Sequence, residues 1–175
     1  MLRKLFEFLV GDHARLASLL DVITRDPGET DLSAYHSFRA EFAKHIGMEE
    51  QVLLPALERA HRVDRETVTK IRRIHEALSA LLASTPSATV IDTFRAVQED
   101  HDRMESGPGG CYEACEQLDE KTRTALLARV RSAPSFPVAP LGGGAQTMKS
   151  VRRALARAGY DVDDDGSLRT PLKAR

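Results

Sequence analysis

The sequence predicts an all-α fold: an up-down-up-down four-helix bundle with an extra helix and a C-terminal extension. Three observations carry this. Four long segments repeat apolar residues every three or four positions, which lines one face of a helix. Short breaks rich in Pro, Gly and Ser separate them, and strand signals are nearly absent before residue 133. Helices joined by short connections pack as antiparallel neighbours, and the interior of such a bundle is where metal and cofactor sites are built.

The first helix is expected over about residues 2–25, with Phe6, Leu9, Leu16, Leu19, Leu20 and Ile23 as its stripe; Asp26-Pro27-Gly28 stops it. The second runs over about 32–61, with Asp31 or Ser33 as cap and Tyr35, Phe38, Phe42, Ile46, Leu53 and Leu57 inward. Pro55 lies inside it and should bend it, because proline removes one backbone bond. The third, about 65–83, follows Asp64 as N-cap and points Ile71, Ile74, Leu78, Leu81 and Leu82 inward. The fourth, about 89–106, carries Ile91, Phe94, Val97 and Met104 and ends at Gly107-Pro108-Gly109-Gly110. A fifth helical stretch spans about 112–131. Residues 1–131 are thus read as the bundle, 132–147 as a Pro/Gly linker, and 148–175 as a short extension that opens on a basic helical piece.

Composition narrows the function classes. The 175 residues suffice for one compact domain plus a tail, and 42% hydrophobic with 29% charged residues is ordinary for a globular chain. A net charge of -1 gives no global drive toward nucleic acid or an anionic membrane. No stretch approaches the roughly 18 apolar residues of a membrane span. The apolar start is cut short by Glu7, Asp12 and His13 and lacks the cleavage site of a signal peptide, so a cytoplasmic protein is expected. Cys111 and Cys115, four apart on a helix, form no disulfide framework.

Four histidines fall one to each long segment: His13, His45, His75 and His101. Glu49 follows His45 by four residues, and Glu105 follows His101 by four. Four residues turn a helix by about 400°, so each His–Glu pair shares a face one turn apart. Each histidine also lies on the apolar side of its helix. A lone histidine there is more often a core residue bonded to a carbonyl, and a single His-x-x-x-Glu is more often a surface pair. Four such positions on four helices are hard to reach by chance and together read as metal ligands. Buried carboxylates and imidazoles need a positive partner, which a divalent or trivalent metal supplies. Imidazole suits iron, zinc, copper and nickel, and bridging carboxylates favour a dinuclear centre of harder ions. His36 and His61 fall off this face and are expected in solvent.

The run His45-Ile-Gly-Met-Glu49-Glu50-Gln-Val-Leu-Leu-Pro55-Ala-Leu57 resembles the second-helix motif of hemerythrin-like (HHE cation-binding) domains. Asp12-His13, Ile74-His75-Glu76 and Asp100-His101-x-x-x-Glu105 fall where that family's other helices supply ligands. The resemblance covers about residues 1–106. It implies a non-haem di-iron centre, two irons per chain with oxo- or hydroxo- and carboxylate bridges, zinc being the alternative metal. By position, His13, His45 and Glu49 would serve one metal, His75 and His101 the other, with Glu49 and Glu105 as bridges. Oxygen-carrying hemerythrins have a further His where this chain has Ser79, and an Asp where it has Ser106. The reduced set implies dioxygen, another diatomic or a peroxide as partner, in oxygen or iron sensing or a redox-stress role. An enzyme turning over peroxide or nitric oxide, and a zinc- or metal-stabilised helical interaction module, remain alternatives.

Lesser signals read plainly. Asp161-Val-Asp163-Asp164-Asp165-Gly166 matches half of a calcium loop, but Leu172 stands where the bidentate Glu belongs, so a polar turn is expected. Lys149, Arg152, Arg153 and Arg157 form a basic face on a solvated helix.

Overall fold

A computed structural model of the chain describes residues 3–24, 30–133 and 138–169. Its elements are α1 (Lys4–Ile23), α2 (Leu32–Met48), a π-helical turn (Glu49–Leu53), α3 (Leu54–Arg59), α4 (Arg65–Leu82), α5 (Ala88–Ser106), α6 (Cys111–Glu116), α7 (Glu120–Arg131) and α8 (Gly144–Ala158). The described residues are thus all-helical apart from two isolated bridges. None of these helices is long and apolar enough to cross a membrane. The chain forms two compact units, residues 1–69 with 102–137 and residues 70–101 with 138–175, and α5 contributes to both.

In the first unit α1 packs on α2, α6 and α7, while α3 packs on α6 and α7 on the π turn. Helix α1 buries Leu5, Leu9, His13, Leu16, Leu20 and Ile23. The stripe therefore starts at Leu5; Phe6 is half-buried under the Arg3 guanidinium, 4.1 Å above its ring. The segment expected to stop α1, Asp26-Pro27-Gly28, lies outside the described residues. Asp31 caps α2 by accepting from the Ala34 N–H at 2.9 Å, and Asp64 caps α4 by accepting from Thr67 N–H at 2.7 Å. Asp119 does the same for Thr122 at 2.9 Å, which divides the expected fifth helix into α6 and α7.

The bend expected at Pro55 takes the form of the π turn just before it. The Leu54 N–H reaches back five residues to the Glu49 carbonyl. A proline ring clashes with the carbonyl four residues earlier, and a wider turn relieves that crowding. The extra residue rotates the rest of the helix, so Leu53, Leu54 and Leu57 are all buried beyond Glu49.

Helix α3 closes with a Schellman motif: Arg62 N–H bonds the Leu57 carbonyl and His61 N–H the Glu58 carbonyl, both at 3.0 Å. This places exposed His61 at φ 53, a left-handed conformation that favours glycine. His61→Gly is expected to stabilise the protein by about 0.5–1 kcal/mol, read as a higher urea midpoint at unchanged slope.

The second unit buries Ile71, Ile74 and Leu78 of α4, Ile91, Phe94 and Val97 of α5, and Val151 and Leu155 of α8. The expected linker ends earlier than its composition suggests, since α8 begins at Gly144. Gly142 is pinned there: its N–H bonds the Ala83 carbonyl and its carbonyl accepts from Thr85 N–H, both at 2.8 Å. Beyond α8, Thr93 Oγ1 donates to the Gly166 carbonyl at 3.1 Å, and Arg157 pairs with Glu76. The acidic turn closes by a Val162–Leu168 bridge, with Arg169 Nε 2.7 Å from Asp163. It is a polar turn in which Arg169 pairs with Asp161 and Asp163, while Arg152 of α8 pairs with Asp164; Leu172 lies outside the described residues.

Candidate metal centre

Helix periodicity sends His13 inward from α1 and His45 inward from α2, and the first unit brings them together. Their Nε2 atoms face each other at 3.1 Å. His45 Nε2 is 3.4 Å from Glu49 Oε1, one turn along at the start of the π turn. His13 Nε2 is 3.5 Å from Glu105 Oε2 at the end of α5. Both glutamates are 0% exposed, and their carboxylates offer oxygens within 4.8 Å of one another. Two carboxylates held this close and this dry repel when ionised.

The second unit pairs the other two histidines. His75 Nε2 and His101 Nε2 lie 2.9 Å apart, both buried, with ring centroids at 4.9 Å. His101 stands one turn before Glu105 on α5. Ser79 is exposed, and Leu78 takes the buried place one turn after His75. Ser106 is engaged locally, its Oγ donating to the Asp102 carbonyl at 2.6 Å. His36 and His61 are both exposed, as expected.

Two residues outside the six expected ligands complete the first cluster. Asp12 Oδ2 accepts from His45 Nδ1 at 2.9 Å. That bond fixes the tautomer: with its proton on Nδ1, His45 presents the Nε2 lone pair to the cluster, the usual way a carboxylate orients a metal-binding imidazole. Burial alone would raise the Asp12 carboxyl, but hydrogen bonds and charge from His45 and Arg15 outweigh it and hold the group below its ordinary value. Tyr112, at the start of α6, is fully buried, its hydroxyl 2.8 Å from His13 Nε2 and 3.1 Å from Glu105 Oε2 and hydrogen-bonded to Glu49 Oε1. Burial first, then the charges of Glu105 and Glu49, push its phenol well above the ordinary value.

The loop Gly107-Pro108-Gly109-Gly110 explains how Tyr112 gets there. A Cβ on Gly110 would lie 2.7 Å from the Met104 carbonyl oxygen and closer still to that of Glu105. Only glycine lets the chain turn against the end of α5 and bring Tyr112 into α6 seven residues after Glu105. Gly110→Ala is expected to displace α6 and cost about 1–3 kcal/mol, measured by denaturant unfolding.

The neighbouring cysteines play no such part. Cys115 Sγ lies 3.3 Å from the Cys111 carbonyl, and burial pushes the Cys111 thiol up to about 12, with the charges of Glu105 and Glu49 adding to it. Both sit as small buried hydrophobes.

The donor atoms fit a cation. Metal–ligand bonds of about 2.0–2.2 Å set neighbouring donors about 2.8–3.1 Å apart in an octahedron and about 3.3–3.6 Å apart in a tetrahedron. The spacings from His13 to His45, His45 to Glu49 and His13 to Glu105 span 3.1–3.5 Å. The His75–His101 spacing of 2.9 Å also lies on that scale. Imidazole nitrogens and carboxylate oxygens are the donors that iron and zinc take.

A comparison with curated proteins and one with solved structures give no match. A family profile, the hemerythrin HHE cation binding domain, matches residues 4–120, a span that contains every residue of both histidine clusters. The chain belongs to the hemerythrin HHE cation-binding family.

Proposed function

We propose that this chain is a non-haem di-iron protein of hemerythrin type, with an oxygen- or iron-sensing or redox-stress role. In this reading His13, His45, Glu49, His75, His101 and Glu105 are the iron ligands, the first three serving one metal and His75 and His101 the other. The observation that carries it is the pair of face-to-face imidazole sets, at 3.1 Å and 2.9 Å, each with the spacing of two adjacent ligands on one metal.

The iron, when bound, supplies one-electron chemistry and Lewis acidity toward a small ligand such as dioxygen or a peroxide. The protein's own residues do the rest. Asp12 holds the His45 imidazole in the ligating tautomer. Glu49 and Glu105 offset the cation's charge. Phe42, with its ring 5.9 Å from that of His45, backs the imidazole with an apolar wall.

Iron quantification tests the reading, together with absorption spectra of anaerobically reduced protein before and after admission of oxygen. About two irons per chain and an oxygen-dependent visible band are expected. A folded native protein free of iron would overturn it, as would His75→Ala and Glu49→Ala variants that keep the full iron content.

A further inference from the structure

We propose that Tyr112 is itself a metal ligand, its phenolate oxygen completing the set formed by His13, His45, Glu49 and Glu105. The proposal rests on the di-iron reading and adds a donor that neither histidine spacing nor the His-x-x-x-Glu pattern reveals.

The geometry leads there in three steps. First, the Tyr112 oxygen touches two carboxylate oxygens that accept, Glu49 Oε1 and Glu105 Oε2 at 3.1 Å, and lies 2.8 Å from His13 Nε2, whose role follows its tautomer. A phenol has one proton and can serve one of the two carboxylates. The other carboxylate contact sets oxygen lone pairs against oxygen unless a cation lies among them. Second, His45 adds its Nε2 lone pair to the same place, 3.1 Å from His13 Nε2 and 3.4 Å from Glu49 Oε1, its proton being committed to Asp12. Five donor atoms thus converge, and the phenol spacings to His13 and Glu105 match the edge of an octahedron of donors around one metal. Third, the tyrosine is placed by backbone. Gly110 brings α6 hard against the end of α5, and α6 packs on both α1 and α3. A fully buried side chain seated this way has no solvent to turn toward.

Ligation breaks the phenol O–H bond and forms an oxygen–metal bond. The proton passes to the medium, and the tyrosine is neither oxidised nor reduced. A phenolate is a hard anionic donor, so the ion it selects is trivalent iron over divalent zinc or copper. It also occupies a position that would otherwise take water or a small ligand. The first-unit metal is then held by five protein groups and biased toward its oxidised form.

The test uses full-length protein loaded with iron(II) under anaerobic conditions and then exposed to dioxygen. A visible phenolate-to-iron(III) band is expected, with tyrosinate ring modes in the resonance Raman spectrum excited within it. Tyr112→Phe should abolish band and modes while retaining at least one iron per chain. The chain has three tyrosines, so Tyr35→Phe and Tyr160→Phe are the controls, and both should keep the modes. If Tyr112→Phe does not fold, the modes surviving in both controls, and shifting on ring deuteration of tyrosine, still assign the ligand to Tyr112. Bound iron without tyrosinate modes overturns the Tyr112 ligand and leaves the di-iron reading standing. A folded chain that binds no iron overturns both.

Discussion

Removing the metal with a chelator is expected to lower the melting temperature by about 8–16 °C, and Glu49→Gln is expected to erase most of that difference. The first figure comes from linkage. A ligand present at a thousandfold excess over its Kd stabilises the native state by about 4 kcal/mol. For a chain of this length each kcal/mol moves the midpoint by about 2–4 °C. The second comes from Glu49 and Glu105 sharing a site with neither exposed to water. Without a cation, two buried carboxylates face one another, so neutralising one relieves the empty site. With a cation, the same substitution removes a donor and weakens binding. Glu49→Gln should therefore raise the melting point of the chelated protein and lower that of the loaded one. Calorimetry of four samples, wild type and variant with and without chelator, checks the crossing. Parallel shifts in both states would mean that Glu49 acts only through packing.

The largest purely apolar effect is expected at Phe42. Its ring is 1% exposed and packs against Phe38 at 5.7 Å and the His45 ring at 5.9 Å. Phe42→Ala should cost about 3–5 kcal/mol, from lost burial plus the cavity left behind. Leu20→Ala, a core truncation nearer the far end of α1, is the control, with an expected cost of about 2–5 kcal/mol. The two should separate on iron affinity: Phe42→Ala frees the His45 ring to swing and weakens loading, while Leu20→Ala leaves loading alone once the protein is folded. Equal iron affinity in both would show that Asp12 alone orients the imidazole.

Most of the helical plan is legible in periodicity, because a stripe such as Leu9, Leu16, Leu20 and Ile23 is imposed by helix geometry itself. Asp64 reads as a cap for the same reason, since its carboxylate has one local job. The ligand histidines are legible because each is a polar residue on an apolar face, and such exceptions accumulate only around a shared partner. Other features depend on contacts distant in sequence and leave no local period. Asp12 reads as an ordinary acidic residue until His45 is beside it, 33 positions away. Tyr112 is unremarkable in a short amphipathic run, and its one clue is a phenol among Cys111, Ala114 and Cys115, where a buried hydroxyl needs a partner. The break between α6 and α7 escapes the pattern because Asp119 is compatible with either a helix interior or a cap. The early start of α8 at Gly144 escapes it because glycine-rich sequence reads as linker, whereas Gly142 is held there by Ala83 and Thr85.

The π-helical turn has a bearing on how this chain can vary. A π turn holds one more residue than the α-helical turn it replaces. Deleting Gln51, its exposed member, would let the segment close as a plain α-helix with both flanking stretches keeping their faces, because the π turn already absorbs the rotation of about 100° that one residue brings. His45 and Glu49 would stay inward together with Leu54 and Leu57. A plain helix that kept all its residues would instead turn Leu54 away from them. In descendants of this sequence, the segment between Glu49 and Pro55 should therefore occur at two lengths, with the π turn as here or one residue shorter without it.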